Sequence, residues 1–589
     1  MREFLNIVIT VGSTFMILLY SCSSANNTDM ILHNGKIITV DDSFSIAQAV
    51  AIENARIIAV GTDAEIGKLA RKTTKIIDLG GRSVIPGLID AHLHPESASL
   101  SELDDAIPDL HSIADLLDWI KKQTEIRDKN EWIIHPKLFF TRLRDMRQPG
   151  LEELDEAAPE NPVFLNGSFG GMINSRAMEI SGIDEKINHP GIIRNMETGR
   201  LTGFIRASAF DMLRLPQKRM LKYEQRLDAL EEMLCRYNRL GITSLGVGSG
   251  DQQTLAVYHD MHERGKLTVR IFLNILLSPG KENSLVQLLD SPVLSESSTG
   301  SGNEWVRTGA LKLILDGGIL TGTAYLSEPW GDKAASIFGI EDKTYRGIIN
   351  YSRDEVKRTV LSALENNWKF TAHSTGSGGV DMLLSVFEEV NMKIPVKGKR
   401  FSIIHGNFYT KDAIRKMSEL GVYADMQAAW FYKDADAVKL ILGDDRLKNF
   451  HPYNSMFKAG VMINGGSDHM VKWDANTSIN PYNPFLAMWS MITRTTEKGT
   501  VILPEEAVSR EEALKIYTIN NAYASFEEDI KGTIEPGKLA DMAVLSEDIL
   551  TCPAGQIKNI VSELTITGGR IVYSSGKLQS GSSNSSKTF

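Results

Sequence analysis

The sequence predicts an α/β fold: a (β/α)₈ TIM barrel with a small β-sandwich domain formed from both termini and an insertion after the first barrel strand. Three observations predict it. Short β runs separated by turn residues occur near both ends of the chain. Eight strand-like apolar runs alternate with helical stretches between them, the pattern of a parallel α/β sheet. The segment separating the first two of those runs is much longer than a βα connection, which marks an insertion.

From the N-terminus, Arg2 precedes a mostly apolar stretch from Phe4 to Tyr20, then Ser21-Cys22 and a polar Ser/Asn run. That order reads as a signal peptide over residues 1–21, removed before folding. Leu19-Tyr20-Ser21-Cys22 resembles a lipoprotein box, in which Cys22 is the lipidation site and the body is exported as a membrane-anchored lipoprotein, periplasmic or at the cell surface. A single membrane anchor is the alternative, with roughly 17 apolar residues at the lower edge of spanning length.

The sandwich is expected over 29–84 and 531–577. Ile37 to Val40, Ala49 to Ile52, Ile57 to Val60 and Ile76 to Leu79 supply its first half, with turns at Asn34-Gly35 and Gly80-Gly81. Ala540 to Leu545 and Glu563 to Val572 supply the second, with a hairpin turn at Gly568-Gly569. The barrel is expected over 85–530. Its strand candidates are Val84 to His94, Gly241 to Val247, Thr268 to Leu276, Gly309 to Asp316, Lys369 to His373, Phe401 to His405, Gly421 to Met426 and Gly460 to Asp468. The insertion, about 95–240, leaves the C-terminal end of the first strand and should cover the barrel mouth, where lids sit. Residues 578–589, rich in Ser, read as a disordered tail.

Composition narrows the class. Of 589 residues, 42% are hydrophobic and 23% charged, as in a globular enzyme. The net charge of −10 comes without basic clusters, which argues against nucleic acid as a partner. Cys235 and Cys552 match neither a disulfide framework nor a Cys-based metal site and read as buried apolar fillers.

The chemistry starts with Gly87-Leu88-Ile89-Asp90-Ala91-His92-Leu93-His94. Residues two apart in a strand share a face, so His92 and His94 should point together, with Ile89, Ala91 and Leu93 packing outward. Two imidazoles at the C-terminal end of a barrel strand are placed to hold a metal. His373 and His405 end the fifth and sixth runs, and Asp468 ends the eighth. Each alone reads equally well as a structural polar residue. Together, four imidazoles and a carboxylate on one rim predict a divalent metal centre, with Zn²⁺ suited to the donors and Fe or Mn as alternatives.

This order of residues resembles the amidohydrolase superfamily, and within it the amidohydrolase family 3 branch that contains N-substituted formamide deformylase. Supporting stretches are Ser83 to His92, Leu311 to Gly318, and Gly532 to Asp541. The resemblance implies metal ligation by His92, His94, Lys312, His373, His405 and Asp468. It implies that Lys312, once carboxylated by CO₂, bridges two ions, whereas an ordinary lysine paired with Asp316 leaves one. Strand parity puts Lys312, Ile314 and Asp316 on one face and the three leucines at 311, 313 and 315 on the other.

A bound metal would make water nucleophilic near neutral pH, and Asp468 would act as the catalytic base. Two departures touch the substrate pocket. Where the branch carries a histidine before an Asn-Ser-x-Ala stretch, this chain has Gly167 to Gly171, with Phe169 among them. After His373 it has Ser374-Thr375-Gly376 rather than Gly-Asp. Asp316, His469 and Arg494 are the candidate substrate-binding residues. The expected activity is hydrolysis of non-peptide C–N bonds in an amide, formamide or cyclic amide. A deaminase, an esterase or an inactive exported binding or regulatory lipoprotein are the alternatives. The partners implied are a small-molecule substrate and a second copy in a homodimer, with membrane contact only through the lipid anchor and no nucleic acid.

Overall fold

The computed structural model describes residues 28–217, 221–279, 285–289, 297–578 and 580–581. The expected export segment and Cys22 lie outside the described residues. Among those residues no helix is long and apolar enough to cross a membrane.

Eight parallel strands form one sheet in chain order. They are β1 (Leu88–Leu93), β2 (Ile242–Gly250), β3 (Arg270–Leu276), β4 (Val306–Ile314), β5 (Phe370–Ser374), β6 (Ser402–His405), β7 (Tyr423–Gln427) and β8 (Ile463–Gly466). The seam between β8 and β1 is closed by a side chain and by backbone bonds above it. Asn521 Nδ2 donates to Ile89 O (2.6 Å) and Gly465 O (2.8 Å), while its Oδ1 accepts from Gly465 N (3.0 Å). Asp468 N donates to His92 O (2.6 Å) and His94 N to His469 O (2.8 Å). The outward faces of the strands pack under the helices in one continuous core, to which Leu311, Leu313 and Leu315 contribute as strand parity predicted.

The first strand departs from the expected pattern. Leu93 packs outward, but Ile89 and Ala91 line a polar cavity inside the lower barrel. The cause is a bulge. Against β2, Asp90 pairs with Leu245 and Leu93 with Val247, so β1 carries one extra residue in that interval. Simple alternation would put Ala91 and His92 on opposite faces; the bulge lets Ala91 face the lower cavity and His92 the upper one.

The chain termini build two further sheets. One orders Ser580–Gly581, Lys75–Asp78, Met30–His33, Ala49–Glu53 and Arg56–Gly61. The other orders Arg570–Ser574, Ser562–Thr567, Met542–Leu545, Ser83–Pro86, Lys36–Ile38 and Ile46–Ala47. Their facing residues, among them Leu32, Val50, Val84, Met542 and Ile566, form a core of their own. Gly568 (φ 56°) and Gly569 (φ 71°) make the two-residue hairpin turn, which needs positive φ at both positions. The sandwich takes Ser83–Pro86, which pairs with Met542, Ala543 and Val544, so the boundary falls at Gly87 and the first barrel strand starts at Leu88 rather than Val84. In the expected tail, Ser580–Gly581 pairs antiparallel with Ile76 and Ile77. Cys552 is buried and Cys235 half-buried, and both are free thiols.

The insertion folds as a five-stranded sheet, Ile192–Arg194, Leu201–Arg206, Gly170–Ile173, Val163–Asn166 and Ile133–His135, with helices Ile113–Ile126 and Leu151–Ala157 packed on it. It covers the barrel mouth and lends Lys137, Phe139 and Phe169 to the cavity beneath. Arg142 fastens it. Its guanidinium pairs with Asp434 on helix Ala428–Leu447 (Nε–Oδ1 2.7 Å, Nη2–Oδ2 2.8 Å) and lies 4.9 Å from the Phe139 ring and 5.5 Å from the Trp430 ring.

Candidate active site

The C-terminal ends of β1, β4, β5, β6 and β8 deliver six of the predicted residues to one cavity of about 780 Å³, open solvent at its mouth included. His92, His94, Lys312, His373, His405 and Asp468 all line it. His94 Nε2 lies 3.3 Å and His92 Nε2 3.6 Å from Asp468 Oδ1. The ring centroids of His92 and His405 are 5.3 Å apart, and those of His373 and His405 4.5 Å. His405 (φ 73°) and Asp468 (φ 54°) both hold backbone conformations uncommon outside glycine, a strain that gathers at functional sites.

The environment leaves the imidazoles neutral. Burial pulls His92 and His373 well below the ordinary histidine value, His405 to about 4, and His94 down despite the opposing Asp468 carboxylate. Their hydrogen bonds select tautomers. His405 Nδ1 faces Gln427 Oε1 at 2.7 Å and so carries its proton there, leaving Nε2 free. His373 Nε2 faces Gly317 O at 3.1 Å, leaving Nδ1 free. For Asp468, burial alone would raise the carboxyl, but the hydrogen bond from His94 and the nearby His405, His94 and Lys137 outweigh it and hold it at about 2.

These donors fit a divalent cation. One ligand atom each from His92, His94 and Asp468 lies within 4.8 Å of the others, and His92 Nδ1 is buried with no hydrogen-bond partner among the described residues. The backbone of β2 makes room for them. A Cβ on Gly248 would lie 2.8 Å from His92 Nε2 and 2.9 Å from His94 Cε1, closer than side chains pack.

Lys312 reaches the centre from β4 with its Nζ 3.5 Å from His92 Nε2, and burial brings its ammonium down to about 8. It does not pair with Asp316. That carboxylate accepts backbone N–H groups of Thr375 (2.8 Å), Gly376 (2.8 Å) and Tyr325 (3.1 Å), fixing the loop after β5, and burial raises its pKa to about 7. The other substrate-binding candidates also lie apart from the cavity lining. His469 is fully buried between Tyr237 Oη (2.9 Å) and Lys472 O (2.6 Å). Arg494 is fully buried against the Phe431 ring at 3.8 Å, with Nε donating to Ile502 O.

Other lining and supporting residues escaped the sequence reading. Lys137 and Trp430 line the cavity, Gln427 orients His405, and Asn480 Nδ2 holds Asp468 through its carbonyl (2.7 Å). Gln427 was findable. It is the last residue of β7, the same strand-end position that singled out His373 and His405.

The amidohydrolase family model matches residues 75–573. The chain belongs to the amidohydrolase family. This amidohydrolase is 27% identical over 558 residues to the N-substituted formamide deformylase of Arthrobacter pascens, covering 92% of this chain and 98% of that one. Among solved structures it resembles an uncharacterized metal-dependent hydrolase from Pyrococcus horikoshii (TM-score 0.65, 21% identity, 89% of this chain and 99% of that chain). It also resembles a zinc-bound adenosine deaminase from Xanthomonas campestris (TM-score 0.51, 13% identity, 92% of each chain). The structural likenesses establish the barrel fold, and the family establishes a hydrolase. One outcome follows for the cradle. Gly248→Ala should lose about 1–3 kcal/mol of stability to overpacking and more than half of the parent's bound divalent metal, measured by melting and by elemental analysis.

Proposed function

We propose that this amidohydrolase hydrolyses a carbon–nitrogen bond of a small amide or formamide, with a divalent ion, zinc in our reading, held by His92, His94 and Asp468 and flanked by His373 and His405. The convergence of His92, His94 and Asp468 under the insertion carries the reading. When bound, the ion would lower the pKa of a water from 15.7 toward about 7 and polarise the scissile carbonyl.

The chain's own groups do the rest. Asp468, ionised and steadied by Asn480, accepts the attacking water's proton and returns it to the leaving nitrogen. The neutral imidazoles present lone pairs in fixed tautomers. The insertion and Trp430 cover part of the cavity, and Asp468, His92, His373 and His405 beneath them are buried, which strengthens the action of these charges. A Lys312 that has taken up CO₂ would add a carboxylate able to serve a second ion, and the lowered ammonium pKa supplies the free amine that reaction needs.

Metal analysis of the purified chain, combined with assays on N-substituted formamides, amides, cyclic amides, esters and aminopurines, tests this. At least one equivalent of metal per chain, with chelator-sensitive release of amine from an amide or formamide, is expected. Less than about half an equivalent, or turnover confined to esters or aminopurines, overturns it.

A further inference from the structure

The proposed hydrolysis leaves one charged group in the cavity unused. Lys137 follows strand Ile133–His135 of the insertion and lines the cavity. Its Nζ hydrogen-bonds Ser168 Oγ and lies 5.9 Å from the Phe139 ring. Among the described residues it forms no salt bridge. The other cations nearby are committed elsewhere, Lys312 beside His92 and Arg142 to Asp434. Asp468, the one carboxylate on the lining among the described residues, takes a hydrogen bond from His94 on its side chain and one from Asn480 on its backbone carbonyl; its charge acts on Lys137, but the two form no salt bridge.

An ammonium has three donors, and Ser168 takes one. Ser168 is itself held for the purpose. It sits at φ 73°, with its N–H bonded to Asn166 Oδ1 at 2.8 Å. Its hydroxyl accepts from Lys137 and keeps a proton to donate. Trp430, across the same cavity, has its indole N–H buried with no hydrogen-bond partner among the described residues. Among the described residues the Lys137 ammonium donates to Ser168 alone and the Trp430 indole to no group, while Phe139, Phe169, Ile319 and Leu320 make the neighbouring walls apolar. Phe169 is fixed by the His373 ring at 4.9 Å. A largely apolar site with a few convergent donors and one cation outside any salt bridge recognises a molecule with an anionic end and an apolar body.

We propose that the substrate is an anionic amide, an N-formyl or N-acyl amine carrying a carboxylate, with Lys137 Nζ and Ser168 Oγ binding the carboxylate and Phe139, Phe169 and Trp430 holding its apolar part. The proposal rests on the C–N hydrolase reading of this cavity. Lys137 is then a specificity-determining residue, a role the family's metal ligands do not provide.

N-formylphenylalanine and N-formylphenethylamine differ only by the α-carboxylate and serve as probes. With the metal-loaded protein, both hydrolysis and binding by calorimetry are measured. The carboxylate probe is expected to be preferred by roughly 10- to 100-fold, the range of a charge-assisted hydrogen bond, mainly through KM and Kd. In Lys137→Gln that preference should fall to within about threefold, and Lys137→Arg should retain most of it.

Equal use and equal binding of the two probes by the parent protein overturns the proposal. So does a Lys137→Gln loss shared equally by both probes, which would mark a role in the chemical step or in folding. If neither probe is hydrolysed, the calorimetric preference and its loss in Lys137→Gln still decide the matter. Discrimination in binding without turnover of any amide would sink the C–N hydrolase reading and leave the anion site standing.

Discussion

Asp468→Asn should lower kcat for amide hydrolysis by about 10³-fold, within the 10²–10⁴ range of a positioned proton-transfer group, at a metal content close to the parent's. Asparagine is the informative replacement here. Asp468 sits at φ 54°, a conformation Asn also tolerates, whereas alanine would add backbone strain to the loss of the carboxylate. The Asn side chain keeps an oxygen near His92 and His94 and loses the charge and the basic site. Among the described residues no other carboxylate lines the cavity to take over. The check is kcat at saturating substrate together with metal per chain on the same preparation. An Asn variant within threefold of the parent at equal metal content removes Asp468 from proton transfer.

The site was legible because barrel chemistry obeys a positional rule. Polar residues at the C-terminal ends of parallel strands share one rim, and His373, His405 and Asp468 each end an apolar run. The rule also holds for Gln427, whose role depends on a neighbour's tautomer that no sequence pattern displays. Alternation failed within β1, because a bulge is one extra residue in a ladder and becomes visible only against the partner strand. Asp316, His469 and Arg494 were singled out from their place in the sequence, but the Thr375 N–H, the Tyr237 hydroxyl and the Phe431 ring that engage them come from distant segments. Lys137 was hidden for the opposite reason. It lies among Ile133, Ile134, Leu138 and Phe139, in a stretch that reads as core, and a charge there signals function only once the insertion is seen to roof the cavity.

The sandwich bears on the site through one buried ion pair. Arg270, at the start of β3, is 2% exposed and pairs in fork geometry with Asp541, Nε–Oδ2 at 2.7 Å and Nη2–Oδ1 at 3.0 Å. Asp541 also accepts the N–H of Gly568 (2.7 Å), at the sandwich hairpin. Removing only the cation leaves a buried carboxylate without its partner, so Arg270→Met should destabilise the protein by about 3–5 kcal/mol. Arg270→Met combined with Asp541→Leu should recover much of that, because the isolated charge, rather than a lost attraction, accounts for most of the damage. Denaturant midpoints of the three proteins read the effect, and a double variant no more stable than Arg270→Met would show that the pair is indispensable in itself.

The consequence reaches the metal centre by a short path. Asp541 O accepts from Gly87 N (2.8 Å), and Gly87 joins the sandwich strand Ser83–Pro86 to β1, which carries His92. Loosening the Arg270–Asp541 pair should therefore reduce retained metal at denaturant concentrations too low to unfold the barrel. That result would make the sandwich a clamp on β1 through Gly87, and through β1 on the spacing of the two histidines from Asp468; metal retained equally by Arg270→Met and the parent would rule the clamp out.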